Sequence, residues 1–214
     1  MSIALAPESF PALTSFSDEE GMFREAVREF SSLEIGPLVS EMDHNQELDT
    51  GLLDKLFELG VMGIEIPTEF GGTGSKFFTS VLVVEQISRT DPSVATLVDV
   101  QNTLVINAFM RWASDEQRAR YFPKLAQEWV GAYALSEAGS GSDAFALSCR
   151  AEPDGDDWIL NGQKLWITNG SEAAVFIVFA TVNPEAEYPP AGEMRCRTAV
   201  KRRAKTPSRS CYAL

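Results

Sequence analysis

Residues 133–170, reading YALSEAGSGSDAFALSCRAEPDGDDWILNGQKLWITNG, gather the groups in this chain best suited to holding a charged, flat ligand. Ser136, Glu137, Gly139, Ser140, Gly141, Ser142 and Asp143 form a run of small and hydroxylated residues. Only such residues let backbone N–H groups come close to a phosphate, so the run points to a nucleotide or an anionic cofactor. Further on, the turn pair Asn161-Gly162 is expected to close a hairpin whose second strand carries Lys164, Trp166 and Thr168 on one face. An aromatic plane beside a hydroxyl suits a heterocycle with a hydrogen-bonding edge.

The elements that must position these groups start with helices. Ser17-Asp18-Glu19-Glu20 has the form of a capping box, and Met22, Phe23, Ala26, Val27, Phe30 and Leu33 recur behind it at helical spacing. Gly36-Pro37 supplies a break before a further turn through Val39 and Met42. Asp49 or Thr50 can cap a helix carrying Leu52, Leu53, Leu56, Phe57 and Leu59, which Gly60 ends. These apolar stripes read as core. Phe70-Gly71-Gly72-Thr73-Gly74 reads as a structural loop, since the spacing of a dinucleotide-binding fingerprint is absent. A helix with Phe78, Val81, Leu82 and Ile87 follows. Asp91-Pro92 then opens an apolar helix to about Trp112, in which Asp99, Gln101 and Asn102 need internal partners or a ligand's amide or carbonyl. Ser114-Asp115-Glu116-Gln117 is a second capping box, opening a helix to about Trp129. From Gly131 the pattern changes to extended runs at 131–137, about 146–152, 157–161, 163–168 and 174–182, with turns at Asp154-Gly155 and Asn161-Gly162. The fold expected is multi-domain α and β: an all-α helical bundle, then an incomplete antiparallel β-barrel or sheet.

Composition narrows the function. The 214 residues are 44% hydrophobic, enough for a sizeable core, and the formal charge is −13. Residues 1–190 hold 11 Lys/Arg against 30 Asp/Glu, whereas residues 191–214 hold seven against one. Such an acidic body argues against nucleic acid as the main partner, which needs a basic footprint. Cys149, Cys196 and Cys211 lack metal-ligand spacing and suggest a reducing compartment. With His44 as the single histidine, neither a zinc site nor a Ser-His-acid triad is expected. The apolar run 173–182 is too short to span a bilayer, and no secretory signal or clear mitochondrial presequence is read at the N-terminus.

Ala134-Leu135-Ser136-Glu137, then Ser140-Gly141-Ser142-Asp143 and Ala146, resembles the signature of the acyl-CoA dehydrogenases. The segment 161–169, NGQKLWITN, is similar to that family's second flavin segment. Met62-Gly63-Ile64-Glu65, Phe70 through Gly74 and Gln101-Asn102-Thr103-Leu104 most resemble its short/branched-chain members, over roughly residues 12–190. The resemblance implies FAD, held by Tyr133, Ala134, Leu135, Ser136, Glu137, Ala138, Gly139, Ser140, Gly141 and Ser142 through backbone and hydroxyl contacts, with Ser136 near the pyrimidine side of the ring. It implies that Trp166 stacks beside the ring with Ile167 next to it, and that the Thr168 hydroxyl reaches the flavin nitrogen that receives hydride. Ser142 and, by analogy, Tyr188 would contact the CoA portion of an acyl-CoA substrate. Asp143, Asn161 and Lys164 read as turn and salt-bridge groups. The family removes a proton from the acyl α-carbon while the β-carbon hydride goes to the flavin. Its base is a glutamate of a C-terminal helical domain, so no catalytic residue is expected in this chain, and Glu137 is read as structural. The resemblance further implies electron-transfer flavoprotein as electron acceptor, a homo-tetrameric assembly, no membrane or nucleic-acid partner, and the mitochondrial matrix.

The domains expected are a flexible N-terminus at 1–11, a helical domain at 12–129, a partial middle β domain at 130–190, and a basic, disordered tail at 191–214 outside the resemblance. The tail's jump in Arg, Lys, Ser and Cys has the composition of an out-of-frame read or retained intron, and the chain is read as truncated within the middle domain and inactive alone. Lys201-Arg202-Arg203-Ala204-Lys205 as a nucleic-acid patch, and Cys211-Tyr212-Ala213-Leu214 as a prenylation box, are the competing readings of the tail. A non-catalytic fragment that associates with full-length subunits is the competing reading of the whole chain.

Overall fold

The computed structural model describes residues 15–155 and 157–182 with their side chains, and the backbone of two further strands, Cys196–Val200 and Tyr212–Ala213. Helix α1 (Asp18–Phe30) starts on the expected capping box. Ser17 Oγ accepts from the Glu20 amide at 3.2 Å, and Glu20 answers on the Ser17 amide at 2.8 Å. The helix does not stop at Gly36-Pro37. It continues through a π-helical turn (Ser31–Ile35) and a 3-10 turn (Gly36–Leu38) into α2 (Val39–Asn45). The π turn changes the phase of the side chains, so Leu33 points to solvent. Met22 is also exposed, and Val27 is the fully buried member of the stripe on α1.

Helix α3 (Gly51–Glu58) buries Leu52 and Leu56, and α4 (Phe77–Ser88) buries Leu82, Val83 and Ile87 while leaving Val81 exposed. Between them the glycine loop 71–74 folds back on the chain. Gly71 and Gly74 have positive φ, and a Cβ at Gly72 would lie 2.1 Å from the Ile66 carbonyl oxygen. The loop is thus a packing device, as its sequence suggested.

Asp91 caps α5 (Pro92–Asp99) by accepting from the Ser93 and Val94 amides. The helix runs on through a π-helical segment (Val100–Ile106) into α6 (Asn107–Trp112), matching the long central helix expected from sequence. Its buried amides find internal partners. Asn102 donates to the Val61 and Val98 carbonyls and accepts from the Ile64 amide; Gln101 donates to the Leu125 and Trp129 carbonyls and accepts from the Gly131 amide. Asp99 takes the Thr103 hydroxyl. Helix α7 (Asp115–Gln127) begins on the second capping box.

Strands β1 (Gly131–Ala134), β2 (Arg150–Asp154), β3 (Asp157–Asn161), β4 (Val175–Phe179), β5 (Cys196–Val200) and β6 (Tyr212–Ala213) form one sheet in the order β1-β4-β5-β6-β3-β2. Pairings are antiparallel except β1 with β4, which is parallel with Gly131 opposite Val175. The sheet does not close into a barrel among the described residues. Val175, Ile177 and Phe179 of β4 join Val105, Phe109, Phe122 and Leu125 in one core, which fastens the sheet to α6 and α7. Val27, Leu52, Leu56, Met62, Val83 and Val98 form a second core among the helices.

Two sequence expectations fail here. Asn161-Gly162 does not close a hairpin and 163–168 is not a strand. The other turn expected, at Asp154-Gly155, does close a hairpin, between β2 and β3 with Gly155 at φ +60°. Gly162 is pressed against Cys149, where a Cβ would come within 2.6 Å of the backbone, and Lys164 is drawn away from any ladder by a carboxylate. Within the segment read as a disordered tail, Cys196–Val200 pairs with β4 and Tyr212–Ala213 with β5 and β3. Its CRTAV sequence carries β-branched residues at alternate positions, which suits a strand. Residues 1–14, Asp156, 183–195, 201–211 and Leu214 lie outside the described residues, and with them Tyr188.

Candidate functional site

After β1, Leu135 and Ser136 lead into a tight turn in which Glu137 and Ser140 exchange backbone hydrogen bonds at 3.0 and 3.2 Å. The turn pushes Ala138 and Gly139 outward, and Gly141 and Ser142 follow on the surface. A Cβ at Gly139 or Gly141 would meet nothing within 4 Å, so this backbone faces open space rather than protein. The Ser140 side chain turns the other way. It is buried, and its hydroxyl donates to the Asp143 carbonyl at 2.8 Å. Asp143 in turn accepts from the Phe145 amide, a local turn contact of the kind expected of it.

Glu137 sits under this turn with its side chain 3% exposed. One oxygen accepts from Lys164 Nζ at 2.6 Å and the Cys149 amide at 3.0 Å. The other accepts from the Ser148 amide at 2.7 Å and its hydroxyl at 2.6 Å. Burial alone would raise the carboxyl pKa. The bonds from Lys164, Ser148 and the Cys149 amide outweigh it and bring the pKa from 4.5 down to about 2. The Cys149 thiol, buried beside it, is pushed up by that burial. Sequence reasoning foresaw Lys164 as a salt-bridge group but not Ser148 and Cys149 as its companions. The alternation FALSCR at 145–150 holds no signal for a carboxylate eleven residues upstream.

Lys164 also donates to the Leu135 carbonyl at 2.9 Å, and the Leu165 amide donates to the Ser136 carbonyl at 2.9 Å. The second segment is thereby carried alongside the first without a β ladder. Trp166 then adopts φ +58° and stands 92% exposed. Ile167 is half-buried and bonds through its carbonyl to the Gly170 amide. Asn169, also at positive φ, is buried and donates to the Leu97 and Gly131 carbonyls, pinning this segment to α5 and β1.

The residues singled out from sequence therefore fall into three places. Ser136, Ala138, Gly139, Gly141, Ser142 and Trp166 lie on or near the surface around the turn. Ala134, Glu137 and Ser140 face inward, and Tyr133 and Leu135 pack against the sheet–helix core. Thr168 lines a different feature, a cleft of about 870 Å³ shared with Met42, Leu97, Asn169 and Glu172, whose walls do not include the 133–142 segment. Chemically the site offers open backbone, small hydroxyls and a projecting indole, with the buried charges neutralised beneath. That combination fits the edge and face of a flavin better than a metal. No group of three or more His, Cys, Asp or Glu could hold a metal ion among the described residues. No helix among them is long and apolar enough to cross a membrane.

Comparisons with known proteins show the family to which the chain belongs. Residues 17–128 match the family model for the acyl-CoA dehydrogenase N-terminal domain, and residues 132–208 match that for the middle domain. The second match runs into the segment read from sequence as lying outside the resemblance. The short/branched chain specific acyl-CoA dehydrogenase, mitochondrial, of Rattus norvegicus is 45% identical over 179 residues, covering 84% of this chain and 41% of the relative. Among solved structures, an acyl-CoA dehydrogenase from Geobacillus kaustophilus superposes with a TM-score of 0.82 at 28% identity, over 91% of this chain and 50% of that one. A glutaryl-CoA dehydrogenase from Mycobacterium smegmatis in complex with FADH2 superposes with a TM-score of 0.73 at 31% identity, over 78% and 43%. This chain spans about two fifths of the length of the curated relatives it matches. With the family's two leading domains matched in order and their fold reproduced, the chain belongs to the acyl-CoA dehydrogenase family.

Proposed function

We propose that this chain supplies the flavin-facing part of a FAD-dependent dehydrogenase that introduces a double bond between the α and β carbons of a short or branched-chain acyl-CoA. The observation that carries this reading is the joining of the 136–142 turn to Trp166 through Lys164 and Leu165, which places open backbone beside an exposed indole. When bound, FAD supplies the hydride-accepting chemistry. The chain's residues bind and orient it: the Gly139 and Gly141 backbone and the Ser136 and Ser142 hydroxyls along one edge, Trp166 against the ring, and Thr168 from the cleft side. Ser142 and Tyr188 are assigned to the CoA portion. None of these residues is a base. Glu137, with a pKa of about 2 and all its acceptor positions engaged, is a poor proton acceptor at neutral pH. The proton is taken by a carboxylate from outside residues 15–182, and the electrons pass to an electron-transfer flavoprotein, in the mitochondrial matrix. The assembly in this reading is a homo-tetramer.

FAD titration of the chain and of Gly139→Ala and Gly141→Ala variants tests the reading. Neither substitution meets protein within 4 Å, so folding stability should stay within about 0.5 kcal/mol. FAD binding should nevertheless weaken, because the new methyl occupies the space where the ligand approaches the backbone. Binding that is absent in the parent chain, or unchanged in both variants, refutes it.

A further inference from the structure

The ion pair between Glu137 and Lys164 differs from the other three salt bridges among the described residues. Those are exposed to solvent on at least one side, whereas here the two side chains are 3% and 10% exposed. A buried pair of this kind is weak evidence of stabilisation, because apolar replacements of similar volume often hold a fold as well. What sets this pair apart is what it connects. The Glu137 carboxylate gathers Ser148 and Cys149 on one side and Lys164 on the other, and Lys164 reaches on to the Leu135 carbonyl. Three stretches of chain without a common ladder meet at a single carboxylate. Two residues past Lys164 stands Trp166, left-handed in backbone and exposed, within a stretch that is neither helix nor strand. Asn169 anchors the far end of that stretch on Leu97 and Gly131. Between Lys164 and Asn169, the conformation of Trp166 is therefore set at its two ends.

We infer that Glu137 and Lys164 are positioning residues for the cofactor: they fix the direction of the Trp166 indole relative to the 136–142 turn, so that flavin affinity depends on a carboxylate the flavin does not touch. This inference rests on the flavin reading above, but its first consequence does not. The placement of Trp166 should depend on the pair in the absence of any ligand.

The test uses the full chain and the variants Glu137→Gln, Lys164→Met, the double Glu137→Gln/Lys164→Met, and Ser148→Ala. Trp166 fluorescence anisotropy is obtained by difference against Trp166→Phe in each background, first without FAD and then in an FAD titration. Each single variant strands a buried charge and should lower the melting temperature. The double variant removes both charges and should recover most of that loss. Trp166 anisotropy should nevertheless stay low in the double variant, and its FAD dissociation constant should rise about tenfold or more, the size expected for lost charge-assisted bonds. Ser148→Ala keeps both charges and should show a smaller change in the same direction, which covers the case in which a charge variant fails to fold. Native anisotropy in the double variant and in Ser148→Ala would overturn the inference, since the pair would then be structural alone. Loosened Trp166 with unchanged FAD affinity would overturn the link to the cofactor. If the parent chain binds no FAD, the flavin reading fails, and the ligand-free anisotropy still decides the positioning role.

Discussion

Replacing Gln101 with leucine probes the joint between the helical region and the sheet. Gln101 is fully buried; its side chain donates to the Leu125 carbonyl at 3.0 Å and the Trp129 carbonyl at 3.1 Å, and accepts from the Gly131 amide at 2.7 Å. Those partners are the end of α7, the connector, and the first residue of β1. Leucine has a similar reach but withdraws the partner of two carbonyls and one amide, the Leu125 carbonyl and Gly131 amide buried and the Trp129 carbonyl part-buried. Each orphaned buried group costs about 1–3 kcal/mol. The extra apolar burial returns roughly 2 kcal/mol. The net loss should be near 3 kcal/mol, which for a chain of this size lowers Tm by roughly 6–12 °C. Thermal denaturation followed by circular dichroism measures the loss, and native-state hydrogen exchange at the Gly131 amide locates it. A Tm drop under about 2 °C, with the Gly131 amide as protected as before, would refute the claim that this side chain holds the joint.

The two perturbed carboxylates should act on stability with opposite signs. Glu137 has its folded pKa lowered to about 2, so its contribution is complete above pH 4.5 and fades as pH falls toward 2; Glu137→Gln should flatten that part of an acid-unfolding profile. Burial raises the Glu65 pKa, with Arg111 and Ser80 pulling the other way, and one of its oxygens has no partner. Stability should then decline as pH rises from 4.5 through the folded pKa, and Glu65→Gln should raise Tm at pH 7 while changing it little at pH 4, as read by thermal melts at both values. Gly72→Ala should lower stability by more than about 2 kcal/mol in urea titration, because the new methyl meets the backbone oxygens of Ile66 and Gly63, which cannot turn away.

The parts of this fold legible in the sequence are those governed by near neighbours. Ser17 with Glu20 and Ser114 with Gln117 form the capping boxes their spacing announced, and Asp91 caps the helix that Pro92 opens. The tight, open turn at 136–142 was legible because its glycines and serines have one common steric meaning. What escaped depended on distant residues. Asn161-Gly162 is a strong local hairpin signal, overridden by Cys149 packed against Gly162 and by Glu137 holding Lys164. The exposure of Leu33 follows from a π-helical turn, which an α-helical count of apolar positions cannot register. The roles of Ser148 and Cys149 are set by the Glu137 carboxylate eleven and twelve residues away, and that of Asn169 by the distant Leu97 and Gly131 carbonyls, so no spacing rule points to them. Thr168 illustrates the same limit: its neighbourhood in the cleft is made by α2 and α5, not by the motif that contains it.

The parallel pairing of β1 with β4 also bears on how the chain acquires its fold during synthesis. Gly131 meets Val175, so β1 leaves the ribosome well before its hydrogen-bonding neighbour exists. At ~5–20 residues per second that interval is on the order of seconds, far longer than the microseconds a hairpin needs to form. The β2–β3 hairpin, whose strands are consecutive, can close while β1 still waits against the 100–106 segment. The helical region thus serves as a template on which the first strand is stored, and Gln101, bonded to the Gly131 amide, is the group placed to hold that strand until translation supplies its partner.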